Sequence, residues 1–165
     1  MSLFSNPTRV FAVIALVSVG AVGTALISQH AFDMQPCPWC ILQRMIFMLV
    51  ALVAVLGLLW RSRAGRLLCA LGVDLLATAG IASALWQHFV AASSSSCKLT
   101  LADRIISGSG LDGLWPDVFS PRASCADAAA SLVGVPYEFW SLALFAVLGA
   151  LSVLVLLGQV RPRLA

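Results

Sequence analysis

The chain has 165 residues, of which 61% are hydrophobic and only 10% charged, with a net charge of +3 and a mean hydropathy of +0.98. Soluble domains run nearer 45–50% apolar and about 25% charged, so this composition excludes an ordinary water-soluble fold and marks an integral membrane protein. No basic tract reads as a nucleic-acid surface, and the length suits one integral membrane domain over residues 1–165.

Four apolar stretches are long enough to cross a bilayer, which takes roughly 20 residues. The first runs from Val10 to Ser28. Arg9 precedes it, but its apolar run is too long for a signal peptide and no small-residue cleavage site follows before Asp33, so it reads as a retained span. The second runs from Ile41 to Trp60, the third from Leu67 to Val90 and the fourth from Phe139 to Leu157. The expected fold is an all-α four-helix transmembrane bundle.

Arginine placement orients the bundle. Arg9, Arg61, Arg63, Arg66, Arg161 and Arg163 fall on one side with no acidic residue among them. The other side holds Asp33, Asp103, Asp112, Asp117, Asp127 and Glu138 against Lys98, Arg104 and Arg122. Both termini are therefore expected in the cytoplasm. Two segments are expected outside, a short link over residues 29–40 and a long loop over residues 91–135.

Four of the five cysteines fall in these outer segments: Cys37 and Cys40 in the link, Cys97 and Cys125 in the loop. Two pairs on an oxidising face point to thiol chemistry. Two other readings compete. One is half of a zinc site, although structural zinc wants a second close pair and Cys97 and Cys125 are far apart in sequence. The other is a set of passive disulfides. Cys69, near the inner end of the third span, reads as a small buried hydrophobe.

The stretch "QPCPWCILQR" carries the most chemistry. Pro38 suits the first position of a helix, which makes Cys37 its N-cap and Cys40 its third residue. A helix N-terminus favours a thiolate. Arg44 follows Cys40 by four residues, on the same helical face and about 6 Å deeper. It reads either as a boundary arginine that snorkels to the surface or as a cation that holds a thiolate and a polar ligand.

In the long loop, a serine run presents Cys97. Ile105, Ile106, Leu111, Leu114, Trp115, Val118 and Phe119 fit short helical pieces that lie on the bilayer surface or pack on the outer helix ends. Asp127 is a candidate cap for a short helix after Cys125. His88, near the outer end of the third span, is an anchor or a ligand. Asp74 is an intramembrane acid without an evident partner. Gly20 with Gly23, Gly72 with Gly80, and Gly149 with Ala150 fit close helix packing.

With these residues in place, the chain resembles the disulfide bond formation protein B (DsbB) family. "QPCPWCILQR" is similar to that family's Cys-x-x-Cys-x-x-x-Arg segment, and "LDGLWPDVF" followed by "ASCAD" is similar to its second outer loop. The resemblance implies a bacterial inner-membrane protein-disulfide:quinone oxidoreductase. A periplasmic, thioredoxin-fold thiol oxidase of the DsbA type would attack Cys97 of an oxidised Cys97–Cys125 pair. Electrons would pass to Cys37 and Cys40, with a Cys37–Cys125 disulfide as intermediate. They would then leave to ubiquinone or menaquinone from the membrane pool, with Arg44 and His88 at the quinone site. The runner-up resemblance is the vitamin K epoxide reductase type, whose Cys-x-x-Cys usually comes late in the chain.

The arginine pattern generates a topology prediction. Alkaline phosphatase fused after residue 63 is expected to be inactive, because that link faces the cytoplasm; an active fusion would overturn the orientation.

Overall fold

The computed structural model describes residues 6–92, 100–128 and 130–160. The serine run, Cys97 and Lys98 lie outside the described residues, as do Arg161 and Arg163. Seven α-helices are described. The four long ones are α1 (Pro7–Ala31), α2 (Pro38–Leu59), α3 (Arg63–Trp86) and α7 (Tyr137–Val160). Three short ones, α4 (Leu101–Ser109), α5 (Leu111–Leu114) and α6 (Pro116–Phe119), fill the long loop. The chain is thus an all-α, multi-pass membrane protein whose four long helices are long and apolar enough to span.

Local sequence explains where the helices begin. The Asn6 side chain caps α1 before Pro7, and Ser62 caps α3 by accepting from the Gly65 N–H. Thr100 and Asp103 form a capping box on α4, and Gly110, with φ of 68°, ends that helix in the left-handed region where glycine costs least. α1, α3 and α7 extend beyond both expected ends, whereas α2 starts three residues early at Pro38 and ends at Leu59, one residue short of Trp60. The largest change is the start of α3, four residues early at Arg63; its other end runs on into a π-turn, Gln87–Ala91. Hydropathy marks where apolar residues stop, whereas helices continue through polar ends that find caps or partners.

The inner part of the bundle is a single apolar cluster. Phe11 and Ile14 of α1, Phe47 and Val50 of α2, Val73 of α3 and Phe145 and Leu148 of α7 meet there. Phe47 and Phe145 stack with centroids 4.0 Å apart. Cys69 packs in the same cluster, as expected of a buried thiol. Asp74 is half-buried on α3 and faces α7 at Gly149. It lies thirteen residues from Gln87, or about 20 Å along the helix, and so is remote from the outer cysteines.

The glycine expectation divides. A side chain at Gly80 would run into the Phe145 ring, at 2.5 Å, and one at Gly72 would press on Val53 at 3.3 Å. A side chain at Gly149 would come within 3.6 Å of Ala77. These glycines let α3 pack closely on α2 and α7. Gly20 and Gly23 meet nothing within 4 Å. They are not packing glycines: Gly20 instead lines a cavity between α1, α2 and α7.

The long loop also divides. Ile106 and Phe119 are buried against Ile41 of α2, so these two pack on the helix ends. Ile105, Leu114 and Trp115 stay exposed and are free to meet the bilayer surface. Asp127 does not cap a helix. It bonds to the Ser124 hydroxyl at 2.6 Å and closes a turn around Cys125. A two-residue hairpin, β1 (Ser131–Leu132) and β2 (Val135–Pro136), then leads into α7. Its turn residues, Val133 and Gly134, both have positive φ, the geometry of a tight I′ hairpin.

Gly80→Ala drives a methyl group into a fully buried ring and is expected to destabilise the protein by about 1–3 kcal/mol. Gly23→Ala, made in open space, is expected to be neutral or slightly stabilising. Thermal unfolding of both variants in the same detergent would check the contrast; equal melting temperatures would mean that the α3–α7 contact is looser than described.

Candidate dithiol and cavity site

The site is built on the first turn of α2. Cys37 is the N-cap with extended backbone, Pro38 takes the first helical position and Cys40 the third, as the sequence implies. The Cys37 sulfur accepts the Cys40 backbone N–H at 3.2 Å and contacts the Cys40 sulfur at 2.7 Å. Cys125 comes to the same place from the long loop. It is in hydrogen-bond contact with Cys37, and its sulfur also accepts the Trp39 backbone N–H. The free N–H groups of one helix start therefore serve the sulfurs of two chain segments.

Main-chain bonds hold the loop in this position. The N–H groups of Arg122 and Ala123 both donate to the Pro36 carbonyl, at 2.9 and 3.3 Å. Around the three sulfurs lie Trp39, Ala91 and Ala102, and Cys37 is fully buried. Burial and the two neighbouring sulfurs give these thiols different character. Cys37 donates to Cys125 and lies beside Cys40, which holds its thiol well above the ordinary range. Cys125, receiving that bond and the Trp39 N–H, is held below the usual thiol range.

Arg44 is buried one turn below Cys40. Its guanidinium donates to the Gln29 side chain at 2.7 Å, the Val118 carbonyl at 3.2 Å and the Ala25 carbonyl at 3.3 Å. Gln29 also donates to the Asp117 carbonyl at 3.1 Å. The arginine therefore joins α1, α2 and α6. It does not snorkel, and its hydrogen bonds run to those partners rather than to a cysteine. The side chain that bonds the Cys40 sulfur is Gln87, at 3.4 Å, which in turn accepts from Gln43 at 2.7 Å.

Beside these groups is a cavity of about 360 Å³ between α1, α2 and α7. Cys40, Arg44, Gln43, Gln87, Tyr137 and Glu138 form its polar end. Val17, Ala21, Phe47, Trp140 and Leu144 line its apolar part. His88 does not line it. Its Nδ1 bonds the Glu138 carboxylate at 2.7 Å, and Glu138 is the member of that pair on the cavity wall. Of the residues expected from sequence, Cys37, Cys40, Cys125 and Arg44 come together, His88 stands one residue back, and Cys97 lies outside the described residues.

Five residues of the site escaped the sequence reading: Gln29, Gln43, Gln87, Tyr137 and Glu138. Gln43 was within reach, since it follows Cys40 by three residues on the face that also carries Arg44. A glutamine inside an apolar span is a polar group that needs a partner.

Known proteins of similar sequence identify a family. Residues 7–155 match the family profile of the disulfide bond formation protein DsbB. The chain is 31% identical over 140 residues to "Disulfide bond formation protein B 1" of Pseudomonas savastanoi pv. phaseolicola, covering 83% of this chain and 82% of that one. It is 30% identical over 166 residues to "Disulfide bond formation protein B" of Nitrosospira multiformis, covering 96% and 99%. A protein of the same name from Polaromonas naphthalenivorans is 30% identical, covering 99% of both chains. The chain belongs to the DsbB family. It is a membrane disulfide oxidoreductase, and passive disulfides or a vitamin K epoxide reductase relationship are set aside.

The contrast between Cys37 and Cys125 is open to test. In fully reduced protein at pH 7–8, Cys125 is expected to react with iodoacetamide well before Cys37, because Cys125 is the more readily ionised and only a thiolate attacks. Peptide mass spectrometry after timed quenching gives both rates. The opposite order would mean that Cys37 does not hold its proton for Cys125.

Proposed function

We propose that this protein reoxidises a periplasmic DsbA-type thiol oxidase and passes the electrons to membrane quinone, from the inner membrane of a bacterium with both termini in the cytoplasm. One observation carries the reading. The dithiol is divided between two surroundings: Cys37 contacts Cys125 of the outer loop, whereas Cys40 opens on a cavity within the outer end of the bundle.

The cavity residues fit a quinone. A flat ring with two carbonyl acceptors calls for an apolar slot with donors at one end, and Phe47, Trp140 and Leu144 with Arg44, Gln43 and Tyr137 provide that combination. Quinone, when bound, takes up two electrons and two protons. The protein's own steps are thiol exchanges. The partner's thiolate attacks Cys97 of the Cys97–Cys125 disulfide and Cys125 leaves as a thiolate, which attacks Cys37 of the oxidised Cys37–Cys40 pair. Cys40 is then released as the thiolate that faces the cavity. The partner's second thiol displaces Cys97 and the partner leaves oxidised; Cys97 then attacks Cys125, which restores the Cys97–Cys125 disulfide and frees Cys37. When Cys37 and Cys40 close again, their electron pair leaves on the cavity side. Arg44 supplies positive charge there, and His88 reaches the wall through Glu138. The Cys37–Cys125 contact supports the middle step, since those sulfurs already meet without movement of the loop.

Energetics favour a strong acceptor. A DsbA-type partner has a potential near −120 mV, and a glutathione-like acceptor at about −180 to −210 mV falls short by roughly 60–90 mV, or about 3–4 kcal/mol. A lipid-soluble acceptor of higher potential, met at a cavity in the membrane, removes that deficit.

The test is quinone reduction by purified protein given reduced partner, compared with Arg44→Lys. Lysine keeps the charge but loses the planar fork of donors. One lost charge-assisted bond is worth roughly 1.5–3 kcal/mol, so the apparent quinone KM is expected to rise about 10- to 100-fold, or the rate to fall equivalently. Exchange between Cys97–Cys125 and the partner is expected to survive. Equal KM and rate would mean that the acceptor binds elsewhere.

A further inference from the structure

Cys40 has a side-chain partner that the thiol exchanges above do not use. Gln87 Nε2 donates to its sulfur at 3.4 Å, and Gln87 Oε1 accepts from Gln43 Nε2 at 2.7 Å. Both amides are buried, at 6% and 4% exposure. Gln87 opens the π-turn, whose first two residues serve two different helices: Gln87 turns to α2 and His88 to α7. A buried amide is costly unless its donors and acceptor are satisfied, so leucine would be the cheaper residue if only packing mattered.

The chemistry of the amide explains the choice. A primary amide has both a donor and an acceptor end and no charge. In the geometry described, the donor end faces sulfur, which stabilises a thiolate. If both amides turn over, Gln87 Oε1 faces the sulfur and accepts an S–H, while Gln43 Oε1 accepts from Gln87 Nε2. The two glutamines can therefore meet Cys40 as thiolate or thiol with every bond kept. A glutamate would oppose the thiolate, and a lysine would have nothing to offer the thiol.

We infer that Gln87, aimed by Gln43, is a positioning residue that sustains the Cys40 thiolate on the cavity side and adapts to its protonation by turning over its amide. This rests on the proposed role of Cys40 as the thiol that faces the electron acceptor, and it adds to that role the group that sets the sulfur's charge.

The test is alkylation of Cys40 by iodoacetamide in fully reduced protein, across pH, resolved from the other cysteines by peptide mass spectrometry. The plateau rate at high pH reports access, and the midpoint reports charge. The titratable and charged groups around Cys40 are Cys37 with Cys125 behind it, Arg44 on α2, and Tyr137 and Glu138 on α7; all are retained in the variants. In Gln87→Leu the rate at neutral pH is expected to fall about tenfold and the midpoint to rise by about one pH unit. Gln87→Glu should fall further. Gln43→Leu should shift the midpoint in the same direction by less, and should add nothing in the Gln87→Leu background. Quinone reduction by Gln87→Leu should recover as pH is raised, which lost packing would not produce. A Gln87→Leu profile that superposes on wild type overturns the inference. If that variant does not fold, Gln43→Leu decides, since it leaves Gln87 in place, and an unchanged midpoint again overturns it. Alkylation needs no quinone, so a wild type inert toward quinone with a shifted Gln87→Leu profile would sink the acceptor assignment alone.

Discussion

A guanidinium buried within an apolar helix bundle needs hydrogen-bond partners, and the end of this structure that holds Arg44 is arranged around that requirement. An arginine at mid-membrane costs roughly 2.5–3.5 kcal/mol, and a single charge-assisted bond returns about 1.5–3 kcal/mol. Arg44 makes three, to Gln29, Ala25 and Val118. Satisfying the charge in this way fixes α1 and α6 against α2. Gln29 extends the same network to Asp117, so the loop that ends in Cys125 is tied to the bundle before its cysteine is reached. The Pro36 carbonyl completes the attachment by accepting two loop N–H groups. Positioning of Cys125 over Cys37 therefore draws on this backbone bonding together with the buried loop side chains Ile106 and Phe119.

The fold was legible in the sequence because the bilayer imposes a coarse rule. Apolar stretches such as Ile41–Trp60 and Phe139–Leu157 have to be spans whatever their partners, and only their ends depend on detail. The start of α2 was readable to the residue, since Pro38 dictates the helix register and Cys37 and Cys40 follow from it. The site was legible only in part. Cys-x-x-Cys-x-x-x-Arg is local and shows on one helix. Gln29, Gln87 and Glu138 reach the site from three other places in the chain, and nothing in their immediate neighbours says where they point. His88 shows the same limit: its position near the outer end of α3 was clear, but that it would bond Glu138 and stand behind the cavity wall was a tertiary fact. The glycines mark the reverse case. Gly20 and Gly80 look alike in sequence, yet one opens a cavity and the other admits a phenylalanine ring.

A dithiol that takes electrons from a soluble protein and delivers them into lipid, as proposed above, has to face two solvents. The N-terminus of a membrane helix solves this with three residues. The N-cap residue lies off the helix, with extended backbone, and can meet a loop from the aqueous side; that is Cys37 with Cys125. The third residue is already in the helix and points along its side toward neighbouring spans; that is Cys40 with Gln87 and the cavity. Exchange between the two sulfurs then moves electrons from one environment to the other over a single contact of 2.7 Å. A wider spacing would lose the contact, and a narrower one would leave both sulfurs at the cap. The same helix start also contributes its unpaired N–H groups, which favour thiolate over thiol on whichever sulfur is leaving. On this view the burial of Cys37 is what gives the exchange direction. A sulfur with its proton held between two neighbours is a poor nucleophile toward solvent and an available electrophile once oxidised, which suits the proposed exchange, in which electrons enter through Cys125 and leave through Cys40.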